Sequence, residues 1–369
     1  PNEPGHVIAA ARSGIFVSSD GGDNWTGLNF APVASMEWNA VAIDPTNPQH
    51  LVAETNWDKW LVNSYDGGSS WTQTINFQEN VGWHTIAFAP SDFNIIYAGS
   101  TGFYSAGSFD ITQPGNGIYV STDGGKTWRA VNNSLTEDAS VYSIAVDPAD
   151  SQVVFAATSN HGLLNTSDGG QMWSTIENGV PEVGATFVAI SPFDHNIIFA
   201  GFDNNSLYLS IDAGKTWQSS ARGMNHEGQI TSIVFDPTSS GQVIYASDYF
   251  NGVYRSSDGG QKWSQINNGL LMRSVNSLAI SSDGLHLYAA TEGGGVYRLD
   301  IHGQPPAIAS TSTPVTATQT VIASASPSSQ TPETTRSTSQ ILRRPFFWIL
   351  GCLLLILLLV LIWIKRRKK

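Results

Sequence analysis

The chain has 369 residues, 41% of them hydrophobic, with 18 Lys and Arg against 30 Asp and Glu and a formal charge of −12. Residues 1–303 carry ten of the basic and 29 of the acidic side chains, which leaves no positive footprint for a phosphate backbone and excludes nucleic acid as a partner. The single cysteine, Cys352, lies in an apolar run near the C-terminus, so neither disulfides nor cysteine-ligated zinc holds the rest together.

In chain order, the opening PNEPGHVIAA aligns with PTNPQHLVAE at Pro45–Glu54, where NAVAID precedes it. The chain is therefore expected to begin inside a repeat, with a strand and an export signal upstream. An eight-residue word follows, Ser/Thr-x-Asp-x-Gly-x-x-Trp, at Ser18–Trp25. It returns at Ser64–Trp71, Ser121–Trp128, Thr166–Trp173, Ser210–Trp217 and Ser256–Trp263. Its acids are Asp20, Asp66, Asp123, Asp168, Asp212 and Asp258, at intervals of 46, 57, 45, 44 and 46. Its indoles are Trp25, Trp71, Trp128, Trp173, Trp217 and Trp263. A fixed period of this size with β-type text means a propeller or a solenoid.

Each full repeat reads as four short strands, A to D. The copy from Val141 gives VYSIAVDP, VVFAAT, GLLNTSD and WSTIEN, with Gly, Asn, Asp and Pro between the runs. The first unit supplies B, C and D, and the last, ending GGGVYRLD at Asp300, supplies A, B and C. Seven units result, and an all-β, seven-bladed propeller of four-stranded blades is expected, its first and last blades incomplete. The long interval places an insertion, Thr101–Asn116, between strands B and C of the third unit. Residues 304–342 form a Ser/Thr/Pro-rich stretch that cannot bury a core, so a disordered stalk is expected. Residues 343–364 contain the apolar run Phe346–Ile364, long enough for a helix across a lipid bilayer. The basic tail 365–369 then predicts a single-pass membrane protein with its propeller extracellular and its tail cytoplasmic.

Six aligned acids and six aligned indoles are expected to be structural. The word reads as a C–D hairpin in which Gly supplies φ > 0, Asp accepts backbone N–H groups and Trp seals the hairpin. An active site needs one or two such groups in one place, whereas six of the seven units each carry one. The informative aromatics are the others. Trp38 and Trp83 head strand A where later units have Val141, Ala185, Ile230 and Val275, and Trp57 and Trp60 flank a B–C loop. D–A and B–C loops leave a propeller on one face. These four, with Phe103 and Tyr104 of the insertion and the acids Glu37, Asp58 and Glu79, are expected to form a sector suited to a glycan or an extended ligand. Asp58, Asp203, Asp248 and Glu292 lie on B–C loops and are the candidate catalytic acids. No metal-ligand spacing, phosphate-binding loop or dinucleotide fingerprint occurs, so neither metal nor cofactor is expected.

The repeated text, IAxDP followed by a GIYxSxDGGxTW-like string, resembles the BNR/Asp-box propellers. These include sialidases, xyloglucanases, sortilin-type receptors and the photosystem II assembly-factor group. The resemblance covers Pro1–Asp300 and implies the fold, since both enzymes and non-enzymes share the box. YAATEGGGVYRLD at Tyr288–Asp300 reads like xyloglucanase blade text, which puts Glu292 where that family has an Asp. That family sets two carboxylates across a cleft between two propellers, and one propeller is visible here. The resemblance and the Trp sector together imply a non-enzymatic, surface-displayed propeller binding a glycan, cell-wall polymer or protein through its loop face. A membrane-anchored glycoside hydrolase is the alternative.

Overall fold

Runs of four to seven apolar residues, rich in β-branched and aromatic types and punctuated by Gly, Asp and Pro, become antiparallel strands in the computed structural model. The structure describes residues 3–301 apart from 12, 29–37, 56–59, 77–81, 102, 105–110, 114, 136–138, 204–205 and 226–227. The expected stalk, membrane span and basic tail lie outside the described residues, as do Glu37, Trp57, Asp58 and Glu79.

Seven sheets form the seven blades of a propeller. Blade 1 holds Val7–Ala11, Gly14–Ser18 and Thr26–Gly27, and blade 7 holds Val275–Ile280, His286–Thr291 and Gly295–Asp300. The five blades between have four strands each, in simple sequence order from the channel outward. Blade 2 is Trp38–Asp44, Asn47–Thr55, Trp60–Ser64 and Thr72–Asn76, and blade 3 is Gly82–Ala89, Asp92–Thr101, Ile118–Ser121 and Arg129–Ala130. Blade 6 is Ile230–Phe235, Ile244–Asp248, Gly252–Ser256 and Trp263–Gln265. The insertion in blade 3 carries a two-stranded ribbon, Phe103–Tyr104 against Ile111–Gln113. The outer strands are shorter than their text suggested: WSTIEN pairs only through Ser174–Thr175.

The core is divided among the seams. Blades 1 and 2 share Ile15, Trp38, Leu51 and Val62, and blades 2 and 3 share Val52, Leu61, Ile96 and Ala98. Similar clusters fill the seams from blade 3 to blade 7. Every described inner strand is bulged at one residue: Asn39, His84, Tyr142, Thr186, Thr231 and Asn276. A bulge re-aims a side chain, and here it ties neighbours together. Thr186 donates its hydroxyl to Ile230 O at 3.0 Å, and Thr231 to Val275 O at 2.7 Å, each on the next blade.

The repeated hairpin closes with one hydrogen-bond set. The Ser or Thr hydroxyl donates to the Asp Oδ1 at 2.7–2.9 Å in all six copies. The same Oδ1 accepts the backbone N–H four residues on at 2.8–2.9 Å. Side-chain donors from Asn24, Ser70 and Thr216, then backbone N–H groups, pull Asp20, Asp66 and Asp212 down to a pKa of about 2. A depressed folded-state pKa means stability that is complete above the unfolded value of 3.8 and lost as pH falls through about 2. Acid unfolding followed by tryptophan fluorescence should therefore show no hairpin-dependent loss above about pH 4 and a progressive loss below it. Asp66→Asn should flatten that limb.

Candidate functional site

Loops from the second to the third strand, and connections from one blade to the next, leave on the same face. Three of the candidate carboxylates sit there on successive blades. Asp248 is buried and spent on its own loop. Its Oδ1 accepts the N–H of Phe250 at 2.9 Å and of Asn251 at 3.0 Å, and its Oδ2 accepts Asn251 Nδ2 at 3.1 Å. Asp203 lies against the backbone of Gly184, where an added Cβ would meet its Oδ2 at 2.2 Å, and accepts Gln229 Nε2 at 3.4 Å. The residue keeps an exposed edge, yet the surrounding loops desolvate its carboxyl enough to raise the pKa. Glu292 is exposed and accepts the phenol of Tyr249 through Oε2; that bond, ahead of burial, raises the Tyr249 pKa.

Around this Tyr–Glu pair the structure assembles a platform. The Tyr249 and Phe250 rings meet edge to face at 4.9 Å, and Phe250 is 61% exposed. Leu271 and Met272, on the connection from blade 6 to blade 7, are also exposed. Met272 lies over the glycine loop of blade 7, where a Cβ on Gly294 would approach its Cγ to 2.6 Å. Sequence reasoning passed over these residues. The signal was DYFNG at 248–252, two adjacent aromatics in a loop whose counterpart in blade 7 is TEGGG.

Of the expected Trp sector, the structure describes the side chains of Trp38 and Trp60. Trp38 is 5% exposed and packs in the seam of blades 1 and 2, its ring 6.1 Å from that of Trp71. Trp60 is half-buried against the same cluster. Trp83 stands in the inner strand of blade 3, and Phe103 and Tyr104 form one side of the ribbon. Among the described residues no group of three or more His, Cys, Asp and Glu is arranged to hold a metal. A cavity of about 40 Å³ at the rim of blades 6 and 7, lined by Val253, Ile266, Leu270 and Leu299, is far below the roughly 300–1,000 Å³ of a small-molecule site. The open loop face is thus the better candidate surface.

A family profile described as outer membrane protein assembly factor BamB matches residues 61–307. A curated xyloglucanase of Hypocrea jecorina is 30% identical over 172 residues, which is 41% of this chain and 18% of that protein. The chain spans less than a fifth of the length of the curated xyloglucanases it matches, 15% and 18%. The GH74 xyloglucanase structure from Xanthomonas campestris superposes with a TM-score of 0.64 at 16% identity, over 80% of this chain and 50% of that one. A structure described as YCF48 bound to D1 peptide superposes with a TM-score of 0.61 at 14% identity, over 82% of this chain and 91% of that one. Likeness to solved structures at such identities speaks for the fold.

Proposed function

Since the chain belongs to the PQQ_2 family, described as outer membrane protein assembly factor BamB, we propose that it is a non-enzymatic, surface-displayed propeller that binds a glycan on its loop face. The observation that carries this reading is the Tyr249–Phe250–Glu292 group, an exposed ring beside a carboxylate that a phenol already orients. A pyranose offers an apolar C–H face to such a ring and hydroxyls to such a carboxylate. Two of the candidate acids are engaged, Asp248 by its loop and Glu292 by Tyr249, which favours binding over general acid–base work. On this reading the six hairpins are Asp boxes of the BNR type. The Ser/Thr-rich segment and Phe346–Ile364 hold the propeller outside a lipid bilayer, with Lys365–Lys369 on the cytoplasmic side.

The likeness to xyloglucanases supports a second reading, a membrane-anchored glycoside hydrolase that uses loop acids among Asp58, Asp203, Asp248 and Glu292. The raised pKa of Asp203 suits a general acid. One experiment separates the two. The full chain in detergent is titrated with xyloglucan and other polysaccharides by calorimetry, and released reducing ends are measured alongside. Phe250→Ala should weaken binding about tenfold, the loss of one aromatic contact of ~1.4 kcal/mol. Its unfolding free energy should stay within about 0.5 kcal/mol of the parent, because the ring is on the surface. Binding that ignores Phe250, or no binding to any polysaccharide, would remove the glycan reading. Reducing-end release abolished by Asp203→Asn would select the hydrolase.

A further inference from the structure

Among the described residues one acid is fully buried with no hydrogen-bond partner for its carboxyl. Glu54, in the second strand of blade 2, is 0% exposed, and neither carboxyl oxygen has a hydrogen-bond partner. Its register position is the same in every blade with an inner strand. The residue after each inner-strand bulge pairs with it: Ala40 with Glu54, Thr85 with Gly99, Ser143 with Ala157, Phe187 with Gly201, Ser232 with Ser247 and Ser277 with Ala290. Five of these six positions hold Gly, Ala or Ser, and blade 2 alone holds a long, ionisable side chain.

The reason for small residues is visible in the neighbouring blades. A Cβ on Gly99 would sit 2.6 Å from Val141 Cγ1, and one on Gly201 would sit 3.2 Å from Ile230 Cβ. Val141 and Ile230 begin the inner strand of the following blade. The position is thus pressed into the seam. In blade 6, Ser247 resolves its polarity by a 2.8 Å bond to the bulge residue Thr231, whose hydroxyl bonds onward to blade 7. Glu54 has no such outlet. Its apolar neighbours in the seam are Val52, Leu61, Ile96 and Ala98 with Ile86 and Phe88, while the polar bonds that cross the same seam run from Asn63 and Tyr65 to Gly124 O and do not include Glu54.

We propose that Glu54 makes the seam between blades 2 and 3 a proton-operated joint, closed while its carboxyl is neutral and loosened when it ionises. A neutral carboxyl in an apolar seam costs a hydroxyl-sized desolvation, whereas a carboxylate there is an uncompensated buried charge. Burial alone pushes the Glu54 pKa well above the ordinary carboxylate range. Because the folded state holds the proton more tightly than the unfolded one, stability falls as pH rises above the unfolded value of 4.5 and levels off past the folded value. No described charge offsets this. On the packed strands, His84 turns its ring to Tyr142 of blade 4 at 5.5 Å. Asp44 is at the far end of the inner strand, held by Thr46 and near His50, and Tyr97 donates to Ser151 O. Asp92 is at the outer start of its strand, and Trp60–Ser64 carries no titratable group. The inference goes beyond the glycan reading and does not depend on it.

The test is thermal unfolding of the full chain from pH 5 to pH 8, with hydrogen exchange at both ends of the range. The parent midpoint should fall by about 5 °C or more across the range. Amides of Asn47–Thr55 and Gly82–Ala89 should lose about tenfold of their protection at pH 8 after correction for intrinsic rates. Glu54→Gln, the neutral isostere, should flatten both responses. Glu54→Ala, the residue that blades 4 and 7 use at this position, should do the same and raise the midpoint at pH 8. Parallel pH curves for parent and both variants would overturn the proposal. So would a drop in midpoint for Glu54→Ala at every pH, since that would mean the carboxyl is anchored rather than stranded. Glycan titration of the same proteins reports on the other reading separately: a failure there leaves the midpoint curves untouched.

Discussion

Trp263→Ala should lower the unfolding free energy by about 3–5 kcal/mol, the range for emptying a fully packed aromatic site. Trp263 is 1% exposed. Its Nε1 donates to Ser220 O at 2.7 Å and its backbone N–H to Arg222 O at 2.9 Å, both on the preceding blade's connection. Its ring stands edge-on to Phe199, with centroids 6.3 Å apart, in the seam of blades 5 and 6. Truncation would empty that seam and leave a buried carbonyl unpaired, so two losses combine. Trp25 occupies the same place in the first hairpin but is only half-buried, and its Nε1 donates to Gly22 O of its own turn at 3.0 Å. Trp25→Ala should therefore cost roughly 1–2 kcal/mol. Urea unfolding with unchanged slope measures both. Equal losses would mean that the indole serves its hairpin, and that the seam contact contributes nothing extra.

That contrast marks what could be read from sequence. The hairpin is local chemistry: hydroxyl, carboxylate, glycine and indole lie within eight residues, and the hydroxyl–carboxylate bond is the same in all six copies. Once a word of that kind recurs every 44 to 57 residues, the blade count follows from the period. The indole's second job does not follow. Trp173 and Trp263 bond to the preceding blade, at Val131 O and Ser220 O, while Trp71, Trp128 and Trp217 bond to glycines of their own turns. The flanking text is nearly the same, and the difference lies in the neighbouring seam. The inner-strand bulge was equally silent, because Asn39, His84, Tyr142, Thr186, Thr231 and Asn276 share no side-chain type.

The candidate site was half legible. Placing ligand contacts on the face of the second-to-third-strand loops rested on propeller topology. Choosing residues on it rested on counting Trp, and Trp38 shows the weakness of that step. An indole at the head of an inner strand enters the seam, because that position meets the previous blade: Val141 and Ile230 press on Gly99 and Gly201 in the same way. Phe250 and Tyr249 went unweighted because each is an ordinary residue singly. They matter as neighbours in one loop, with Glu292 brought to them from a position 43 residues away. Glu54 was invisible for a related reason, since AET at 53–55 reads as one more strand until its register partners are known.

Arg298→Ala should have the second large effect, because it opens the one seam that no apolar cluster fills among the described residues. Blade 7 meets blade 1 through polar contacts. Arg298 donates to Gly21 O and to Asp23 Oδ1, each at 2.7 Å, and Tyr288 OH donates to Gly21 O at 3.0 Å. These bonds join residues about 270 positions apart, 267 for Tyr288 and 277 for Arg298. The guanidinium is 19% exposed, so its bond to a carbonyl is worth about 1.5–3 kcal/mol, while the exposed Asp23 adds little as an ion pair. Tyr288→Phe removes a neutral bond of about 1 kcal/mol. The two donors share one acceptor, so the double variant should cost less than the sum of the singles. Arg255 pairs with Tyr245 in blade 6 as Arg298 pairs with Tyr288 in blade 7, which supplies a control on a seam with its own apolar cluster. Arg255→Ala should cost under about 1 kcal/mol. Hydrogen exchange gives the sharper readout: Arg298→Ala should deprotect Val7–Ala11 and Gly14–Ser18 before any other blade, because Arg298 holds the hairpin of blade 1 across this joint. Uniform deprotection of all blades would mean that Arg298 stabilises blade 7 alone and that the ring is held shut by other contacts.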